Sequence, residues 1–274
     1  MEDYIKILEA ANWLKIRLAT VPKTGIILGS GLGIVGEEIE QAIKLPFSDI
    51  PHFPVTTVAG HQGQIITGNL NGKQVLVMQG RIHYYEGYSM KEVIFPLRMM
   101  QLLGIKNLMV TNASGGLHAD FRPGDICLIT DHLNLMGVDP LRGPNDDRLG
   151  PRFPDLSQAY DPHFLNLARQ EGQKQGLNLK EGVYAAISGP CYETMAEVRY
   201  LKNLGAELVG MSIVPEVIAA RHGGIRVLGI SCITDTPLHP NKEGVSHQQV
   251  VDVAAKAAPK IASLIRGIIK KVED

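Results

Sequence analysis

The 274-residue chain is 45% hydrophobic and carries a net charge of −1 at pH 7, a composition typical of a globular protein with a sizeable core. The near-neutral charge and the absence of lysine or arginine runs argue against nucleic acid or an anionic membrane as the main partner. We predict a soluble, cytoplasmic protein from three features. The three cysteines have no C-x-x-C spacing, no apolar run reaches the ~18 residues that span a membrane, and the acidic start is not a signal sequence.

Helical and strand periodicities alternate along most of the chain, without repeats or a linker. Helices are predicted over residues 4–19, 34–43, 90–103, 161–175, 194–204, 214–222 and 250–272. Strands are predicted over residues 26–28, 56–58, 64–70, 74–79, 108–111, 126–130, 182–187, 208–209 and 226–232. Asn71-Gly72 indicates a hairpin. The pattern predicts a single α/β domain over residues 1–274, in which helices surround a mixed, twisted β-sheet.

The segment 24–36, T-G-I-I-L-G-S-G-L-G-I-V-G, places a glycine-rich turn directly after a buried strand. Glycines let the backbone approach a ligand closely, and a helix starting near Leu32 would direct its N-terminal N–H groups at an anion. Ser30 would add a hydroxyl group. The segment therefore predicts a phosphate site, although an ordinary strand-to-helix turn has the same pattern.

A dinucleotide site is the alternative, because Gly31, Gly33 and Gly36 also satisfy G-x-G-x-x-G. That fingerprint requires an acidic residue at the end of the next strand. Asp49 lies at about the right distance, but the two prolines in S-D-I-P-H-F-P favour a loop. The alternative is therefore the weaker of the two.

Three further turns after predicted strands are suited to an anion. The first contains Arg81 and His83, the second is Asn112-Ala113-Ser114-Gly115-Gly116, and the third is Gly210-Met211-Ser212. A guanidinium group, an imidazole and serine hydroxyls all donate hydrogen bonds to oxyanions. Each turn alone has a structural explanation, such as a solvated arginine or a helix N-cap. Together with Ser30 they predict one anion site at the carboxyl ends of the strands.

Other polar residues would suit a heterocyclic ring and a sugar. Glu193 and Asp235 follow predicted strands, where a carboxylate accepts hydrogen bonds from ring N–H or amino groups, and His247 opens the last helix. In structural terms, these could equally be a first-turn glutamate, a turn aspartate and a buried histidine. The sequence has no H-E-x-x-H motif, no Cys/His cluster and no G-x-S-x-G elbow, so we predict neither a metal site nor a serine nucleophile.

Six motifs in chain order are similar to those of the trimeric purine nucleoside phosphorylases. They are G-S-G-L-G (29–33), G-R-x-H-x-Y-E-G-Y (80–88), N-A-S-G-G-L (112–117), D-R-x-G-x-R-F-P-D (147–155), G-P-x-Y-E-T-x-A-E (189–197) and G-M-S-x-V-P-E (210–216). The resemblance extends from about residue 26 to residue 250. It implies the nucleoside phosphorylase fold, and phosphorolysis of purine ribo- or deoxyribonucleosides to the base and a sugar 1-phosphate. Inorganic phosphate is the co-substrate, and neither a cofactor nor a metal is implied.

The resemblance also implies roles for individual residues. Phosphate would be bound by Ser30, His61, Arg81, His83, Ser212 and the backbone at Ser114. Tyr85, Ala113, Met211 and His247 would contact the nucleoside, with His247 near the 5′-hydroxyl, and Tyr192, Glu193 and Asp235 would face the purine. His83, Glu193 and Asp235 would be the catalytic set. Phe153, in the long loop 139–160, would reach into a neighbouring subunit's site, so a homotrimer is implied.

Asp235 departs from the family pattern, in which members selective for 6-oxopurines have asparagine at this position. Asparagine both donates and accepts hydrogen bonds, whereas an ionised aspartate only accepts them. The hypothesis is a preference broadened or shifted toward adenosine, with inosine and guanosine still bound through Glu193. A methylthioadenosine phosphorylase is the near alternative, against which His247 argues, because it favours a 5′-hydroxyl group over an apolar thioether. From other classes, an oxidoreductase and a non-catalytic nucleoside-binding protein remain as alternatives.

Overall fold

The computed structural model describes residues 2–58, 60–237 and 244–272, which contain eight α-helices and nine β-strands. The helices are α1 (Glu2–Lys15), α2 (Ile34–Glu37), α3 (Met90–Val93), α4 (Phe95–Leu103), α5 (Pro162–Lys174), α6 (Met195–Asn203), α7 (Val214–His222) and α8 (His247–Ile269). The strands are β1 (Thr24–Leu28), β2 (Glu40–Pro46), β3 (Gln64–Leu70), β4 (Lys73–Gln79), β5 (Asn107–Gly116), β6 (Ile126–Asn134), β7 (Lys180–Ala186), β8 (Leu208–Gly210) and β9 (Arg226–Asp235).

The strands form one mixed sheet in the order β2-β3-β4-β1-β5-β8-β7-β6-β9. An additional pairing between β5 and β9 connects the last strand back to the middle of the sheet, so β5, β8, β7, β6 and β9 form a closed ring. The remaining strands extend the sheet from β5 as an open wing. The predicted mixed α/β sheet is confirmed, but its closure into a ring was not predicted.

The parallel strands explain why the polar turns meet. Strands β4, β1, β5 and β9 run parallel in neighbouring positions, so their carboxyl ends lie at the same edge of the sheet. The glycine-rich turn follows β1, Arg81 follows β4, and Asp235 ends β9. The short β8 runs antiparallel to β5 and brings Gly210 to the same region.

Two helix predictions need correction. Residues 34–43 are not one helix: a single turn, α2, is followed by the edge strand β2, which pairs with β3. Pairing with β3 outweighs the helical preference of the glutamate, glutamine and alanine residues in this segment. Residues 90–103 form two helices rather than one, with a break at Ile94 just before Pro96 in the first turn of α4.

The predicted strand at residues 56–58 is wrong, because these residues pair with no strand and residue 58 lies in a bend. Pro51 and Pro54 precede the segment and cannot donate hydrogen bonds to a neighbouring strand. The hairpin of β3 and β4 forms as predicted. Asn71 and Gly72 have φ angles of 53° and 85°, the positive values that a two-residue hairpin turn requires.

Helix α8 packs its apolar stripe, including Ile261, Leu264 and Ile265, into the main hydrophobic core. Ser246 caps its N-terminus and so fixes the position of His247, the first residue of the helix. Across the described ranges, no helix combines the length and apolar character needed to cross a bilayer.

Candidate active site

A cavity of about 320 Å³ lies where the polar turns meet. It is lined by most of the predicted site residues, namely Ser30, Arg81, His83, Tyr85, Ala113, Ser114, Tyr192, Glu193, Met211, Ser212, Asp235 and His247. His61 and Phe153 are the two predicted site residues that do not line it. The size suits a small organic ligand.

Arg81 provides the positive charge of the cavity and is only 2% exposed. Its Nε donates a hydrogen bond to Glu216 Oε1 at 2.7 Å, and its Nη1 donates to the carbonyl oxygen of Thr111 at 2.9 Å. Its Nη2 has no hydrogen-bond partner in the described part of the chain. A buried N–H group without a partner is costly, so the arrangement suits an anion that would accept this third hydrogen bond.

His83 is held in one tautomer by Glu86. The carboxylate accepts hydrogen bonds from the Nδ1 and the backbone N–H of His83, at 3.0 and 2.7 Å, and from the N–H and hydroxyl groups of Thr57. Burial alone would raise the pKa of Glu86, but these hydrogen bonds outweigh it and lower the pKa to about 2. Burial lowers the pKa of His83, although Glu86 partly opposes this. The neutral ring therefore has Nε2 as an acceptor, ready to take a proton from a ligand.

His61 lies behind Ser30 rather than on the wall of the cavity. His61 Nδ1 lies 3.0 Å from the backbone nitrogen of Arg81 and 3.3 Å from its carbonyl oxygen. In the shorter contact the N–H of Arg81 donates to Nδ1, which places the ring hydrogen on Nε2. Nε2 lies 3.0 Å from Ser30 Oγ, to which it donates. Burial, together with the nearby His83 and Arg81, lowers the pKa of His61 to about 4. The neutral His61 therefore leaves the hydroxyl hydrogen of Ser30 for a ligand.

The other two serines differ in their side-chain contacts. Ser114 Oγ forms a 2.7 Å hydrogen bond with the buried Ser231 Oγ, in which either hydroxyl group can be the donor. Ser212 lies two residues after the end of β8, and its backbone N–H donates to the hydroxyl oxygen of Tyr184 at 3.4 Å. The helix-dipole contribution predicted for the glycine-rich turn is wrong, because α2 begins at Ile34 and has only one turn.

The opposite part of the cavity carries two carboxyl groups, Glu193 and Asp235. Burial raises the pKa of both, and the negative charge of Asp235 raises that of Glu193 further. Thr234 donates a hydrogen bond to Asp235 Oδ1 at 3.1 Å, which partly opposes the rise for Asp235. Two carboxyl groups with raised pKa values can accept hydrogen bonds or, when protonated, donate them.

Three residues that hold the site together were given no role in the sequence analysis: Glu86, Glu216 and Tyr184. Glu86 could have been found, because a glutamate three residues after His83 matches the spacing of a capping box. Glu216 lies 135 residues from Arg81 in sequence, and no local pattern indicates that pairing.

Phe153 is 88% exposed and contributes nothing to the cavity of its own chain. In the described residues, no group of three or more His, Cys, Asp or Glu side chains is arranged to hold a metal ion.

The chain was compared with known proteins. The profile of the phosphorylase superfamily matches residues 23–270. A relative, purine nucleoside phosphorylase 1 of Geobacillus stearothermophilus, is 50% identical over 264 residues, which are 96% of each chain. The chain belongs to the purine nucleoside phosphorylases of this superfamily.

Solved structures agree with this family. The structure of Schistosoma mansoni purine nucleoside phosphorylase in complex with inosine matches with a TM-score of 0.93 and 40% identity, covering all of this chain and 98% of that one. The complex of the same organism's enzyme with adenosine matches with a TM-score of 0.91 and 41% identity, covering 98% and 97% of the two chains. The predicted family and its fold are thereby confirmed.

Proposed function

We propose that this protein is a purine nucleoside phosphorylase, a pentosyltransferase of class EC 2.4.2.1. It transfers the ribosyl or deoxyribosyl group of a purine nucleoside to inorganic phosphate, and the reaction is reversible. The observation that carries the proposal is the distribution of charge in one cavity. Arg81 has an unpartnered N–H group in one part, and two carboxyl groups with raised pKa values lie in another.

In the proposed reaction, a phosphate oxygen bonds to C1′ of the sugar as the bond from C1′ to N9 of the purine breaks. The bonding electron pair leaves with the base, which gains a proton, and the hydrogen phosphate ion loses one, so the reaction balances. The protein orients the phosphate and stabilises the charge that develops on the leaving purine. No covalent bond to the enzyme is needed.

The phosphate would accept hydrogen bonds from Arg81 and from the hydroxyl groups of Ser30 and Ser212. The tautomer of His83 supports a further role for that residue, because its Nε2 can accept the proton of a hydrogen phosphate ion. His61 would act through Ser30, with which it shares a hydrogen bond. The backbone at Ser114 would complete this part of the site.

The purine would lie against Tyr192, with Glu193 facing its N1 side and Asp235 facing N7 and the 6-substituent. Tyr85, Ala113, Met211 and His247 would contact the sugar. An ionised Asp235 accepts a hydrogen bond from a 6-amino group, and a protonated one donates to O6. The raised pKa of Asp235 makes the protonated form more accessible than in a free aspartate, so we propose that adenosine is a substrate together with inosine and guanosine.

We further propose that residues 1–274 act as one catalytic domain, in the cytoplasm, without a cofactor. Phe153 would complete the site of a neighbouring subunit in a homotrimer. Its 88% exposure in its own chain leaves the ring accessible to a neighbouring subunit.

The deciding experiment measures free purine released from inosine and from adenosine, each with and without phosphate. Phosphate-dependent release from either nucleoside is the expected result, with the sugar 1-phosphate as the second product. Release without phosphate would instead identify a hydrolase. Release from methylthioadenosine at a much higher kcat/KM than from either nucleoside would favour the alternative methylthioadenosine phosphorylase.

A further inference from the structure

We infer that Tyr184 is a positioning residue for phosphate, acting through Ser212 although it does not line the cavity. This inference rests on the proposed function, in which Ser212 binds phosphate. Three observations support it: the path of the Tyr184 side chain across the sheet, its two hydrogen bonds, and the strained turn that it contacts.

Tyr184 lies on β7, which is separated from β5 by β8. Its side chain crosses β8 at Gly210 and reaches Asn112 on β5. A Cβ atom at position 210 would lie 2.4 Å from the hydroxyl oxygen of Tyr184, which is closer than atoms can approach. The glycine of the G-M-S motif therefore provides the space that this hydroxyl group occupies.

The hydroxyl oxygen of Tyr184 accepts two hydrogen bonds from the wall of the cavity. Asn112 Nδ2 donates at 3.2 Å and the backbone N–H of Ser212 donates at 3.4 Å. The orientation of the Asn112 amide is fixed, because Nδ2 also donates to the carbonyl oxygen of Ala113. Tyr184 thus joins two segments that line the cavity, one from β5 and one after β8.

Tyr184 has the properties of a fixed, neutral acceptor. It is fully buried, and burial raises its pKa to about 12, although hydrogen bonds from Ser212 oppose the rise. The phenol therefore stays protonated across the working pH range. Without its oxygen, the N–H groups of Asn112 and Ser212 would lose an acceptor in a place that water does not readily reach.

The backbone next to Ser212 is strained. Ile213 has φ of 58° and ψ of −42°, which is a rare conformation for a β-branched residue. The N–H of Val214 donates to the carbonyl oxygen of Ser212 at 2.8 Å, so residues 212–214 form a tight γ-turn of positive φ. Such a turn persists only when its surroundings hold it in place. The hydrogen bond from the backbone N–H of Ser212 to Tyr184 holds Ser212, the first residue of this turn, in place.

The test compares Tyr184→Phe with Tyr160→Phe. Tyr160 is also a buried tyrosine with a hydrogen-bonded hydroxyl group, which lies 3.3 Å from His132 Nδ1, but it does not line the cavity. The KM for phosphate and the KM for inosine are measured at saturating levels of the other substrate, together with kcat and the Tm. Tyr184→Phe removes the acceptor of both hydrogen bonds, and loss of the one from Ser212 should raise the phosphate KM by about 10-fold. The KM for inosine should change much less, and Tyr160→Phe should keep the wild-type phosphate KM.

Two results would overturn the inference. The first is an unchanged phosphate KM in a folded Tyr184→Phe variant, and the second is an equal rise in Tyr160→Phe, which would indicate a general loss of rigidity.

The Ser212→Ala variant tests whether Tyr184 acts through Ser212. There, Tyr184→Phe should raise the phosphate KM by a smaller factor than in the wild type, and an equal factor would show that Tyr184 does not act through Ser212. Failure of the proposed function is distinguishable, because the wild type itself would then lack phosphate-dependent turnover.

Discussion

Glu86 accepts two hydrogen bonds from His83, one from the backbone N–H and one from the ring Nδ1. Its second carboxylate oxygen accepts two more from Thr57. Because the carboxylate uses both oxygens as acceptors, it fixes the tautomer and the orientation of the imidazole ring together. The ring also stacks on Tyr85, with 4.7 Å between the ring centroids. His83 is thus held on two sides before any ligand binds.

Replacing Glu86 with glutamine should therefore impair the reaction. The amide nitrogen would face either His83 or Thr57, and a donor would meet a donor. We expect kcat/KM for phosphate to fall by about 10- to 100-fold, in the range seen when a group that orients a reactive histidine is removed. Glu92→Gln is the matched control, since Glu92 forms the same capping box with Ser89 outside the cavity. Equal losses in both variants would show that the effect comes from capping alone.

The second prediction concerns Asp235→Asn. The asparagine amide can always donate to O6 of a 6-oxopurine, whereas an ionised aspartate cannot. The ratio of kcat/KM for adenosine to that for inosine should fall by about 10-fold or more, as expected for the loss of a matched polar contact. The KM for phosphate should stay unchanged and serves as the internal control. Unchanged relative rates would remove Asp235 from base selection.

The third prediction concerns the pH dependence of that ratio. Because burial raises the pKa of Asp235, its protonated fraction grows as the pH falls, and protonated Asp235 donates to O6. The wild type should therefore shift toward inosine as the pH falls. The titration of His83 should affect phosphate and therefore both nucleosides equally, so it cancels in the ratio of the two kcat/KM values. The titration of Glu193, which would face the purine, does not cancel. Asp235→Asn retains Glu193 but removes the charge that raises its pKa, so the difference between the two pH profiles reports Asp235 together with its effect on Glu193. Identical profiles would contradict the prediction.

The fourth prediction tests whether Phe153 acts on a neighbouring subunit. Phe153→Ala should raise the nucleoside KM by about 10-fold without lowering the Tm, because the side chain is exposed in its own chain. Mixing Phe153→Ala subunits with Glu193→Ala subunits should restore activity, since some sites would then have both native residues. Tyr200→Ala, at another exposed aromatic residue, is the control. No recovery in mixtures that demonstrably exchange subunits would refute a shared site.

The fifth prediction uses the pKa of about 4 for His61, which is below the usual value of 6.5. Between these values the unfolded chain binds a proton that the folded protein does not, so the free energy of unfolding decreases as the pH falls. His61 should account for a loss of about 1–2 kcal/mol between pH 6.5 and 4.5, allowing for its partial exposure. Chemical denaturation at several pH values should show a shallower decrease for His61→Gln. His163→Gln, at an exposed position on α5, should retain the wild-type dependence.

Local signals in the sequence were sufficient for much of the fold. The helix from Thr194 and the hairpin at Asn71-Gly72 depend on neighbouring residues, so a short window contains the information. Strand β2 could not be predicted from a short window, because its conformation depends on pairing with β3. Closure of the ring through β5 and β9 joins residues more than a hundred positions apart, which no periodicity indicates.

The same distinction applies to the site. Residues that directly follow strands, such as Ser30 and Arg81, were predictable because parallel strands end at one edge. Their supporting partners come from distant segments. Tyr184 meets Asn112 across 72 positions, and only the folded sheet brings them together.

The buried pair of Arg81 and Glu216 has a consequence for turnover in both directions. In a reversible phosphorolysis, the same guanidinium must release inorganic phosphate in one direction and a sugar phosphate in the other. Because Glu216 lies 2.7 Å from Arg81 Nε, the buried guanidinium group keeps a counterion when either anion leaves. The carboxylate thus acts as a permanent counterion that keeps the vacated site electrically balanced and allows either product to dissociate.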